Sequence, residues 1–111
     1  MEITFKNNKL EKTFNSDKKL QKAYGVLCAR KIRTRLDDLH AADSLEDMKL
    51  LPGRCHELVG NKKGQFSLDV EQPYRLIFEI GHKDIKSKET GGLDWTSVIA
   101  VKIIGVENTH D

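Results

Sequence analysis

Three features of this 111-residue chain predict an α+β fold. Through the first third, apolar residues recur at spacings of three and four, a helical period. Beyond Pro52 and Gly53 the pattern changes to short runs rich in β-branched and aromatic residues, separated by turn-formers. The last run, Val98 to Val106, is apolar at nearly every position, as expected of a strand covered on both faces inside a sheet. Helices first and strands afterwards imply a short N-terminal strand and helix pair packed on one face of a twisted, mostly antiparallel sheet. The length fits one domain, residues 1–111, with a single core.

The elements follow in order. "EITF" alternates Ile3 and Phe5 with polar neighbours and predicts a short strand. Asn8 is placed to cap a short helix in which Leu10 and Phe14 pair at i,i+4, and "NSD" interrupts it. A longer helix is then predicted, with Leu20, Tyr24, Leu27, Cys28, Ile32, Leu36 and Leu39 in one stripe and Gly25 as a point of bending. "SLED" from Ser44 has the order of a capping box, with Asp47 in the acidic position, and predicts a helical turn. "CHELV", "QFSLDV", "YRLIFEI" and "TSVIAVKIIGV" read as strands. The loop from Gly81 to Asp94 is longer than most hairpin connections; Trp95 follows it, suited either to anchoring its base or to stacking on a nucleobase or partner.

Charge is distributed unevenly. The net charge is +2, yet residues 1–35 hold 10 Lys/Arg against 3 acids, and residues 36–51 hold 1 against 5. A basic first third meets a polyanion through local potential, although a solvated helix face has the same composition. No apolar run approaches the roughly 20 residues that span a bilayer, and the start lacks the apolar block of a signal peptide, so a cytoplasmic location without a membrane partner is expected. Cys28 and Cys55 have no C-x-x-C spacing and read as free thiols. No H-x-x-E-H, P-loop, G-x-S-x-G or EF-hand spacing occurs, so neither a metal nor another cofactor is expected.

Chemistry must then come from cations and imidazoles. In "YRLIFEI" the alternation puts Tyr74, Leu76 and Phe78 on one face and Arg75, Ile77 and Glu79 on the other. If helices cover the first face, Arg75 emerges on the opposite one, where it requires an acid, a phosphate or water; Glu79 is the nearest acid in sequence. Lys62 and Lys63 lie between Gly60 and Gly64, in a turn that is either solvated or turned toward a phosphate. His56 falls at a strand edge and His110 just past a strand end, whereas His40 closes the helical region and His82 begins the long loop.

The stretch "LPGRCHELVGNKKGQFSLDVEQPYRLIFEI" and the ending "IIGVENTHD" resemble the HigB-like branch of the RelE/ParE superfamily of toxin–antitoxin toxins, the plasmid maintenance killer type. The resemblance implies a RelE-like microbial ribonuclease fold and an endoribonuclease that cuts mRNA on the ribosome. It also implies silencing by a cognate antitoxin, a helix-turn-helix protein through which operator DNA is reached only indirectly. Carried over by motif, His56 and His110 are the acid/base groups, Arg75 stabilises the transition state, and Lys62, Lys63 and Asn108 hold RNA phosphate. The chemistry implied is attack of a ribose 2′-hydroxyl on the adjacent phosphate. Histidine, with a reference pKa of about 6.5, suits proton transfer, and the arginine fork suits developing phosphorane charge.

Two departures from the family pattern weaken that expectation. Val59 stands where a lysine often follows His-x-Leu, and Asn108-Thr109-His110 stands where Asp-Tyr-His is usual. The first removes a cation, the second a carboxylate and a stacking ring. The alternatives are a catalytically weakened module that docks an antitoxin and tunes its DNA binding, and a gyrase poison.

Overall fold

The computed structural model describes residues 1–108. Strand β1 (Glu2–Phe5) leads into three helices, α1 (Asn8–Phe14), α2 (Asp17–Tyr24) and α3 (Val26–Ala41). A 3-10 segment (Leu45–Leu50) follows, then β2 (His56–Glu57), a 3-10 turn (Gly60–Lys62), β3 (Gln65–Asp69), β4 (Tyr74–Ile80), a 3-10 turn (Trp95–Ser97) and β5 (Ala100–Asn108). The sheet order is β1-β5-β4-β3-β2. β1 runs parallel to β5 and the other pairings are antiparallel, so the expected α+β, mostly antiparallel architecture is observed.

The helix boundaries follow from local chemistry. Asn7, not Asn8, caps α1, its side chain accepting from the Leu10 amide at 2.8 Å. The position before the first helical residue has the extended backbone that lets a side-chain oxygen reach back to an orphan N–H, and Asn8 is already helical. Ser16 caps α2 in the same way. The predicted single long helix is two helices: Gly25 has φ +85°, a left-handed value that a right-handed helix cannot continue. The break changes the phase of the stripe. Cys28, Ala29, Ile32, Leu36 and Leu39 of α3 are buried, whereas Leu27 is exposed. At "SLED" the capping box does not form: Asp47 accepts from the amide of Asp43, one residue before the N-cap Ser44, at 2.9 Å, and the Ser44 side chain caps nothing.

The core lies between the helices and one sheet face. Phe14, Leu20, Ile32, Leu36 and Leu39 pack with Phe66, Leu68, Leu76, Phe78, Val101 and Ile103. Phe66 stacks on Phe78, and Trp95 meets Phe66 edge-on at 5.5 Å with the Lys49 ammonium 4.6 Å above its ring. Trp95 therefore anchors the base of the long loop. β5 lies inside the sheet as expected, but its coverage is incomplete, with Ile104 and Val106 only half-buried. Across from β4, Ile77 pairs with Gly105 and Phe78 with Ile103, leaving Ile104 as the extra residue of a bulge. Among the described residues, no helix is long and apolar enough to cross a membrane.

Candidate active site

The sheet face away from the helices carries the polar residues. Residues directly opposite each other on neighbouring strands project to the same side. Register places His56, Ser67, Ile77 and Gly105 in one row, and Asp69, Arg75 and Glu107 in the next. The alternation expected of β4 holds, with Leu76 and Phe78 in the helix-side core and Arg75 on the opposite face.

His56 is half-buried and held at both ring nitrogens. Nδ1 lies 2.7 Å from the Arg54 carbonyl, which only accepts, so Nδ1 carries the proton of the neutral ring. Nε2 lies 3.4 Å from the hydroxyl of the fully buried Ser67, a long contact in which the Nε2 lone pair accepts from Ser67.

Arg75 pairs with Asp69 and not with Glu79. Its Nε is 3.4 Å from Asp69 Oδ1, but no hydrogen bond to that buried Nε forms among the described residues. The Asp69 carboxylate is committed to Arg54, which donates from Nε at 2.5 Å and from Nη2 at 3.2 Å. Two guanidinium groups thus share one carboxylate, and a positive charge remains uncompensated beside β4.

The two lysines of the turn separate. Lys62 reaches across to Glu107, at 3.2 Å, and so joins the row of Arg75. Lys63 lines a cavity of about 300 Å³ with Glu57, Phe66, Ile80, Ile85 and Leu93, on the other side of the sheet. Consecutive residues of a tight turn point apart, which adjacency in sequence conceals. Asn108 is in register with Tyr74, while Glu107 is opposite Arg75, so Glu107 shares the face of Arg75 and Asn108 alternates away from it. Val59 is exposed at the head of the turn. His110 lies outside the described residues.

Sequence reasoning missed Arg54, Ser67, Asp69 and Glu107. Ser67 and Asp69 were legible in "QFSLD", where they alternate with Phe66 and Leu68. Arg54 carried no such signal: it sits at φ +50° after Gly53, outside any strand. Among the described residues, no group of three or more His, Cys, Asp or Glu side chains comes together as a metal would require.

The family model of the RelE-like toxin HigB of type II toxin–antitoxin systems matches residues 3–89. The chain belongs to this family of HigB-like toxins. A relative, Toxin HigB-1 of Vibrio cholerae serotype O1, is 34% identical over 80 residues, covering 71% of this toxin and 83% of its own length. Among solved structures, the YoeB/ParE toxin from Agrobacterium tumefaciens superposes with a TM-score of 0.53, covering 99% of this toxin and 100% of that chain. At 10% identity that likeness is one of fold. Membership of a type II system implies a cognate antitoxin as the toxin's partner.

Proposed function

We propose that this toxin is a ribosome-dependent mRNA endoribonuclease of the cytoplasm, working by metal-free attack of a ribose 2′-hydroxyl on the adjacent phosphate. The observation that carries this reading is the sheet face that His56 and Arg75 share, where an imidazole with a fixed tautomer lies two strands across and one residue row along from a guanidinium with residual positive charge.

In this reading His56 Nε2, with Nδ1–H tied to the Arg54 carbonyl, takes or gives a proton at the ribose or the leaving 5′-oxygen. Arg75 lies where a phosphate arriving on the open face gains negative charge as the phosphorane forms. Because the Arg75 Nε is buried and only loosely engaged, Arg75 turns toward a phosphate at little cost in broken hydrogen bonds. Lys62 contributes positive charge once a phosphate displaces Glu107. His110 is the second proton-transfer group by family motif, and Lys63 and Asn108 hold RNA outside this row.

A second reading, a weakened nuclease acting mainly by docking its antitoxin, is favoured by one observation: Lys62 and Arg75 each face a carboxylate of the same chain. Purified toxin added to translating ribosomes, with the message mapped by primer extension, separates the two. Cleavage within codons, together with growth arrest on expression without antitoxin, is expected. Intact message and unimpaired growth with folded toxin overturn the nuclease.

A further inference from the structure

Arg54 performs two tasks at once. Its carbonyl accepts the Nδ1 proton of His56, and its side chain lies against Asp69 beside Arg75. The left-handed backbone at Arg54, following Gly53 at φ +115°, turns the side chain back over β3. Asp69 is held rigidly beneath it: its amide donates to the Gly53 carbonyl at 2.7 Å, and its carbonyl accepts from Arg35 Nε of α3 at 2.8 Å. The Asp69 side chain is only 14% exposed, whereas that of Arg54 is 64% exposed.

A guanidinium has five N–H donors. Asp69 engages two of those of Arg54, whose side chain is otherwise largely exposed beside the carboxylate that Arg75 also neighbours. Two like charges on neighbouring segments repel unless a carboxylate lies between them, and Asp69 is that carboxylate. The arrangement suits an anion with several acceptor oxygens, which a phosphodiester supplies.

We propose that Arg54 is a second RNA-binding guanidinium of this face, and that Asp69 is the positioning residue holding it beside Arg75. The proposal rests on the reading that this face meets RNA, and its test does not need turnover. A single-stranded 2′-O-methyl RNA, which lacks the attacking hydroxyl, is titrated into the full-length toxin over a salt series. Arg54→Gln and Arg75→Gln should each flatten the dependence of log affinity on log salt by about 0.7, the value for one phosphate contact on a single strand. Arg30→Gln, on α3, should leave the slope as in wild type. An unchanged slope for Arg54→Gln overturns the proposal, as does a loss confined to Arg30→Gln or no salt-dependent binding at all.

Asp69→Asn separates positioning from competition. It raises the charge of the site, so a carboxylate that merely competed with RNA would, when removed, give tighter binding and faster cleavage, which overturns the positioning role. A positioning carboxylate gives binding at least as tight but kcat on ribosomes lower by up to about a hundredfold, with KM not raised. Should wild-type toxin prove inactive on ribosomes, the nuclease reading fails while the salt slopes still judge Arg54.

Discussion

Asp69 and Arg75 face each other across β3 and β4, 3.4 Å apart at Oδ1 and Nε, while Asp69 makes its hydrogen bonds to Arg54. Arg75 is therefore neighboured by a carboxylate without being neutralised by it. A buried ion pair would have closed this face to phosphate; a shared carboxylate leaves it cationic.

That sharing predicts the behaviour of Arg75→Gln. Asp69 keeps its partner Arg54, so no buried charge is orphaned, and stability should change by no more than about 1 kcal/mol. Cleavage on ribosomes should fall by at least about a hundredfold, as for loss of a group aimed at developing charge. Thermal melts and cleavage assays on the same preparation check both.

Gly53→Ala should destabilise the toxin. A Cβ at this position would lie 2.8 Å from Arg35 Nε and 3.0 Å from Leu68, and φ +115° is a backbone conformation that L residues rarely adopt. The expected loss is about 1–3 kcal/mol, read as a lower urea midpoint with an unchanged slope. Gly53 also carries the carbonyl that receives the Asp69 amide, so RNA affinity should fall with it.

Both cysteines should resist alkylation in the folded toxin. Burial pushes the Cys55 thiol up to about 12, against the pull of Lys49, and raises Cys28 as well. The thiolate is the nucleophile, so iodoacetamide at pH 8 should label neither until the chain is unfolded, as mass spectrometry will show. The linkage follows in sign. The folded Cys55 holds its proton more tightly than the unfolded one, whose ordinary value is 9.0, so its contribution to stability is intact below pH 9 and is lost as pH rises toward 12.

Asn7→Ala and Ser16→Ala each remove an N-cap acceptor, from the Leu10 and Lys19 amides. Each should cost about 1 kcal/mol, and the double variant close to the sum because the caps serve separate helices. Chemical denaturation of the two single variants and the double variant tests this. A third variant, Asn8→Ala, should cost much less, since Asn8 is already inside α1.

Much of the architecture was written locally. The period of three and four in the first third, the turn signals after Pro52, and the alternation of "YRLIFEI" are properties of neighbouring residues, and each produced the expected kind of element. Boundaries depended on finer points: the cap fell on Asn7 because Asn8 had already turned helical, and Gly25 broke a helix that it was expected only to bend.

The sequence by itself determined that Arg75 would stand on the face opposite Leu76 and Phe78, because side chains alternate along any strand. Only the tertiary structure decided what would surround it. Directly opposite residues on paired strands lie about 4.5–5.5 Å apart, whereas residues two apart on one strand are separated by about 6.7 Å. Asp69 therefore prevails over Glu79 as the neighbour of Arg75, and Glu107 over Asn108 as the residue sharing its face. Those pairings are set by register, which the turn at Glu71–Tyr74 and the bulge at Ile104 fix between segments far apart in sequence.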